Sequence, residues 1–117
     1  MTYVAGFLTP VTNENKEAYI ASARKAWPIF KDYGALQIME CWGDHVPVGT
    51  QTDFKKAVDL KDGETVCFSW MVWPDKETHD KCGASMDSDP RWQELEMPFD
   101  GKRMIWGGFD PVFEEKA

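Results

Sequence analysis

The sequence predicts an α+β fold of the ferredoxin-like type: a βαββαβ order of elements, with four strands in one antiparallel sheet and both helices on a single face. Three features carry this expectation. Apolar residues switch between two-residue alternation and helical recurrence along the chain. Turn-forming pairs, Asp62-Gly63, Pro74-Asp75 and Asp100-Gly101, separate the periodic runs. The second and third strands are apolar on both sides, which fits a buried sheet centre. All 117 residues are expected to form one domain, 1–117, because this length is close to the commonest domain size.

Residues 3–8 form a short aromatic and aliphatic run, and Pro10 is expected to end that first strand. A helix over 16–33 follows, with Asn13 as its N-cap, apolar positions at Tyr19, Ala23, Ala26, Trp27, Phe30 and Tyr33, and Gly34 as its stop. Pro28 removes a backbone donor and is expected to kink or divide this helix near Lys25. The second strand, 35–42, places Leu36, Ile38, Glu40 and Trp42 on one face and Gln37, Met39 and Cys41 on the other. Residues 43–61 read as an excursion with a short piece of structure near 54–58, whose conformation the pattern does not decide. The third strand, 64–73, is the strongest in the chain, with Val66, Phe68, Trp70 and Val72 alternating against Cys67, Ser69, Met71 and Trp73. Pro74-Asp75 opens a polar helix through Met86, Pro90 marks a further short turn, and residues 102–106 form the last strand, stopped by Gly107-Gly108.

A net charge of −7 and a pI near 4.7 repel polyanions, and no run of Lys and Arg offsets them, so nucleic acid is not an expected partner. No signal-like segment and no long apolar run is present, which predicts a cytoplasmic protein without membrane contact. Cys41, Cys67 and Cys82 lack CxxC spacing, and with His45 and His79 far apart in sequence no metal site is expected. Hydrophobic residues make up 43% of the chain and six are Trp, more than a small interior readily hides. A sheet apolar on its helix-free side needs a cover, and a second copy related by a two-fold axis is the simplest one.

Several blocks look familiar: Tyr-Val-Ala-Gly-Phe from Tyr3, Glu-Cys-Trp-Gly-Asp from Glu40, Thr-Asp-Phe-Lys-Lys-Ala-Val from Thr52, Phe-Ser-Trp from Phe68 and Met-Pro-Phe-Asp-Gly-Lys-Arg-Met-Ile from Met97. Together they resemble the YbaA-like family of bacterial proteins of unknown function, over nearly the whole chain. The resemblance implies a dimeric α+β barrel, a superfamily that also holds small monooxygenases, haem-degrading proteins and dye-type peroxidases. It supplies no reaction and no catalytic residues, and it specifies no cofactor. It also implies acidic residues where this chain has Ala5, Val72 and His45; the first two lie on strands expected to be neighbours, where a paired polar site would be lost.

Glu40 is the leading catalytic candidate, since a carboxylate within an apolar strand must be paired, neutralised or solvated by a pocket. It serves either as a proton acceptor or as the partner of Arg103 in a structural ion pair. His45, beside Asp44 at a strand end, is the second candidate; His79, on a polar helix, reads as a surface residue. Trp42, Trp70, Trp73 and Trp106 offer flat rings for an apolar or aromatic ligand, and equally serve as packing. Ser69 is a mid-strand ligand contact rather than a nucleophile. Arg103, with Lys102, either holds a small anion or balances local acids. These residues point to a dimer that binds a small apolar or aromatic metabolite between sheet and helices, with cofactor-independent oxygenase or isomerase chemistry, or to a non-catalytic binding or structural dimer.

Overall fold

The computed structural model describes residues 2–117, and these follow the expected order. Strand β1 is Tyr3–Thr12; a 3-10 turn at Asn13–Asn15 leads into α1, Lys16–Asp32; β2 is Gln37–Trp42. Then come α2, Phe54–Ala57, β3, Glu64–Trp73, α3, Lys76–Ser85, α4, Pro90–Gln93, and β4, Ile105–Phe109. The sheet order is β2-β3-β1-β4, with every neighbouring pair antiparallel. The excursion left undecided in the sequence is mostly irregular and contains α2, whose N-cap Asp53 accepts from the Lys56 N–H.

Register explains where β1 ends. Asn13 N donates to Gly63 O at 2.8 Å and Gly43 N donates to Val66 O at 3.0 Å. With the pairing of Thr9 to Cys67, this turns the backbone groups of odd-numbered β1 residues toward β3 and of even-numbered ones toward β4. Strand β4 stops with Ile105 opposite Leu8, so Pro10 presents its missing N–H to an edge that has no ladder. The expected end before Pro10 is therefore overridden, and β1 runs on to Thr12.

The last strand also shifts, from the expected 102–106 to Ile105–Phe109. Asp100 holds the preceding turn, accepting from Lys102 N at 3.0 Å through its side chain and from Arg103 N at 3.2 Å through its carbonyl. Gly107 and Gly108 lie inside the strand rather than after it. Gly108 faces Ala5, and the Tyr3 ring fills the space a Cβ there would need.

Helix α1 is continuous through Pro28, which sits exposed while Ala26 and Ile29 are buried beside it. Packing of that buried stripe holds the helix together despite the lost hydrogen bond, so the expected division does not occur. The helix ends as anticipated: Gly34 has φ +105°, Gly34 N donates to Lys31 O and Ala35 N to Phe30 O, both at 3.0 Å. At the other end Asn15, not Asn13, is the N-cap, and Asn13 instead accepts from the Thr65 hydroxyl.

The two faces of the sheet differ sharply. One packs on α1, α3 and α4 through Ala5, Ile29, Ala35, Met71, Trp73, Cys82 and Trp92, with a smaller cluster of Val11, Tyr19 and Cys67 joined by Trp42 and Phe99. By strand alternation the other face carries Val4, Leu8, Met39, Phe68, Trp70, Val72, Ile105 and Phe109. Met39, Phe68, Ile105 and Phe109 are each more than 40% exposed there. This face is free of the longer helices, but not wholly bare as expected: Phe54 of the four-residue α2 reaches it and packs edge-on to Phe68, with ring centroids 6.2 Å apart. Among the described residues, no helix is long and apolar enough to cross a membrane.

Candidate functional site

Alternation along β2 and β3 brings Glu40 and Ser69 opposite each other on the helix-covered face. The first turns of α1 lay Tyr19 across them. The Tyr19 hydroxyl and the Ser69 hydroxyl each donate to Glu40 Oε1 at 2.5 Å, and the two hydroxyl oxygens are 3.3 Å apart. Tyr19 and Ser69 are buried while Glu40 is exposed, so the carboxylate forms the outer end of a polar cluster rooted in the core. Glu40 Oε2 takes no hydrogen bond from any described residue. Burial first, and then the Glu40 charge, raises the Tyr19 phenol above its ordinary range and keeps it a neutral donor. Burial, Glu40 and Cys41 together push the neighbouring Cys67 thiol up to about 12, which leaves it unreactive.

Trp42 shares this face with Glu40, two residues along β2, and is half-buried. Lys16 Nζ stands 5.3 Å from the centre of its ring. The rim around Glu40 thus combines a carboxylate, two hydroxyls, an indole and an ammonium group.

The other sequence candidates fall elsewhere. Trp70 lies on the helix-free face, opposite in sense to Glu40, so these two do not meet across one pocket. His45 sits exposed in the loop after β2 and forms no hydrogen bond with a described side chain. Trp106, on the edge strand, is 62% exposed and its ring centroid is 6.3 Å from that of His79. Arg103 does not pair with Glu40. It donates to Glu64 through Nη1 at 2.8 Å and Nη2 at 2.6 Å, to Asp100 through Nε at 2.9 Å and to Asp59 O through Nη1 at 3.0 Å. With four of its five N–H donors engaged in this way, it is a balance for local acids rather than an anion holder. Ala5 and Val72 are also on opposite faces, since Ala5 faces Met71 and Val72 faces Val4, so no shared polar site joins the two positions.

Clefts open to solvent lie away from Glu40. A small one of about 140 Å³ lies by Gly43, Val46, Lys55 and Leu60. A larger one of about 410 Å³ lies between the end of β1 and the 97–103 segment, beside Arg103. Sequence reasoning missed Tyr19 as a member of the polar cluster, because at helical spacing it reads as one more core aromatic. The signal that identifies it is a hydroxyl-bearing ring on a buried face that also meets a strand carboxylate.

A family described as "Protein of unknown function (DUF1428)" matches residues 2–101. The chain belongs to this family. The chain is also 50% identical to the Uncharacterized protein YbaA of Escherichia coli K12, with 98% of this chain and 100% of that protein covered. Among solved structures it is similar to a dimeric ferredoxin-like protein from an uncultured marine organism, with a TM-score of 0.60 and 13% identity over 98% of this chain and 100% of that one. It is also similar to SnoaB, a cofactor-independent oxygenase from Streptomyces nogalater, with a TM-score of 0.53 and 15% identity over 97% and 95% of the two chains. These likenesses establish the ferredoxin-like fold, and the family relationship carries no reaction with it.

Proposed function

We propose that this family member is a single-domain homodimer that binds a small apolar or aromatic metabolite at Glu40 and moves a proton there. The observation that carries this reading is the asymmetric carboxylate. Its Oε1 is held by two hydroxyl donors rooted in the core, and its Oε2 is left at an exposed rim next to Trp42. Such an oxygen is oriented to accept a proton from an activated carbon or hydroxyl of a ligand lying on the indole. The proton bonds to Oε2 and the electron pair stays on the ligand. Returning that proton to a different carbon completes an isomerisation, while capture of the carbanion by dioxygen gives an oxygenase. The fold shared with a cofactor-independent oxygenase supports the second outcome by analogy.

Dimer formation follows from the apolar helix-free face, and the dimeric ferredoxin-like neighbour supports it. The acidic surface argues against a nucleic-acid partner, and three free cysteines suit a reducing cytoplasm.

A second reading has an observation of its own. Because both hydroxyls converge on one oxygen, Glu40 also acts as a strut tying α1 to the sheet in a non-catalytic dimer. Glu40→Gln separates the two. Native mass spectrometry of the purified protein reads small molecules that accompany it, and incubation with such a molecule reads turnover. Loss of turnover with dimer and melting temperature kept supports proton transfer; a lower melting temperature with ligand retention and turnover unchanged assigns the strut.

A further inference from the structure

We infer that the segment after β4, residues 110–117, is an arm that docks Val112 and Phe113 on a second copy of this chain, at Leu36 beside the start of the partner's β2. The inference rests on the homodimer reading above, which supplies the second copy. In its own chain the arm has no support. Among the described residues, none from Asp110 onward is hydrogen-bonded to another element, and the arm's ion pair, Lys116 with Glu114, is internal. Val112 is 97% and Phe113 79% exposed. Two adjacent apolar side chains held in water beside a sheet edge are a surface built for contact.

Register fixes where the arm starts. Phe109 faces Val4, Val4 faces Val72 and Val72 faces Gln37, so the arm leaves the sheet at the same end as Leu36 but from the opposite edge. Three strand spacings, about 14 Å, separate the two edges. Leu36 is itself 58% exposed. The two-fold axis that covers the helix-free faces brings these edges together. Running along the strands, it exchanges left and right edges and leaves each end of the sheet where it was. β4 of one copy then stands over β2 of the other, with about 10 Å between the sheets, and arm and Leu36 meet twice, once on each side of the pair.

Polarity and charge favour this axis over its alternative. A two-fold across the strands carries the arm to the other end of the partner's sheet, which is built from the polar turns at Asp62-Gly63 and Asp100–Arg103 and offers no match to a Val-Phe pair. At the Leu36 end, Lys31 is exposed in the last turn of α1 and makes no ion pair with a described residue. It gives the arm's Glu114 and Glu115 a complementary charge next to the apolar contact.

The test is cross-linking between two full chains, one carrying Leu36→Cys and the other Phe113→Cys, each with Cys41→Ser because Cys67 and Cys82 are buried. Oxidised as a mixture after subunit exchange, they are expected to give a disulfide-linked pair on a non-reducing gel that neither chain gives alone. A single chain carrying both cysteines, oxidised at a dilution where the parent dimer has dissociated, is expected to form no internal disulfide. No link in the mixture, or an internal link in the doubly substituted chain, overturns the inference and leaves the homodimer reading standing. A parent that sediments as a single chain at micromolar concentration removes both. Val112→Asp combined with Phe113→Asp changes positions that are exposed in the free chain, so folding is kept, and is expected to raise the dimer dissociation constant at least tenfold. An unchanged constant also overturns the inference, and this arm of the test stands even where a cysteine variant fails to fold.

Discussion

At the scale of single residues, the best-held ion pair in the protein is Arg103 with Glu64, with side chains only 17% and 9% exposed. Hydrogen bonds from Arg103 above all, helped by the Lys61 N–H, lower the Glu64 carboxyl from 4.5 to about 2. Since the folded carboxyl is the stronger acid, its contribution is complete above about pH 4.5 and fades as the pH falls toward 2. A depression of that size corresponds to roughly 3 kcal/mol. Urea unfolding of the parent and of Glu64→Gln is therefore expected to give a stability difference that is largest near neutrality and nearly closed by pH 2. A difference that stays constant with pH assigns the pair no such role. Glu40, in contrast, has its fixed oxygen bound by neutral hydroxyls and its other oxygen facing water, a geometry suited to exchange with a ligand rather than to permanent pairing.

At the scale of elements, the end of α1 and the start of α3 are fitted to one another through Gly34. Its φ is +105°, and a Cβ added there would stand 2.6 Å from Thr78 Cγ2 of α3. Gly34→Ala thus combines a strained backbone with an overpacked helix contact, and a loss of about 2–4 kcal/mol is expected in thermal unfolding. An unchanged melting temperature would show that the two helices slide apart freely. This stop was legible in the sequence because glycine after a helical run has a local cause. Strand β3 was legible over its full length for a similar reason, with turn pairs at both of its ends. What escaped depended on neighbours distant in sequence. Pro10 looks like a terminator unless the length of β4 is known, and Gly107-Gly108 looks like a stop until the Tyr3 ring is placed over it. Both sides of β3 are apolar, so alternation alone gave no sign that Trp70 faces away from the helices. The partners of Glu40, 21 and 29 residues away, came from opposite directions along the chain, and the anticipated link to Arg103 gave way to Glu64.

At the scale of the whole molecule, the sheet separates a polar cluster from an apolar array. Glu40, Ser69 and Tyr19 occupy the helix-covered side, and Met39, Phe68, Ile105 and Phe109 make an exposed apolar array on the other. Burying such an array against a second copy returns about 25 cal/mol for each Å² of apolar surface, whereas a charge placed at its centre must be desolvated to remain there. Phe68 is the natural probe, since β3 lies inside the sheet and its ring is 46% exposed. Phe68→Asp is expected to weaken association at least a hundredfold, so that sedimentation at micromolar concentration finds the 13.4 kDa chain alone where the parent sediments as a pair. Glu40→Gln, on the opposite side, is expected to leave the pair intact. The contrast tests the proposed function, under which one face is consumed by assembly and the face carrying the carboxylate keeps its rim open. A parent protein that sediments as a single chain, or a Phe68→Asp variant that remains paired, would remove the division of labour and leave the apolar face needing another occupant.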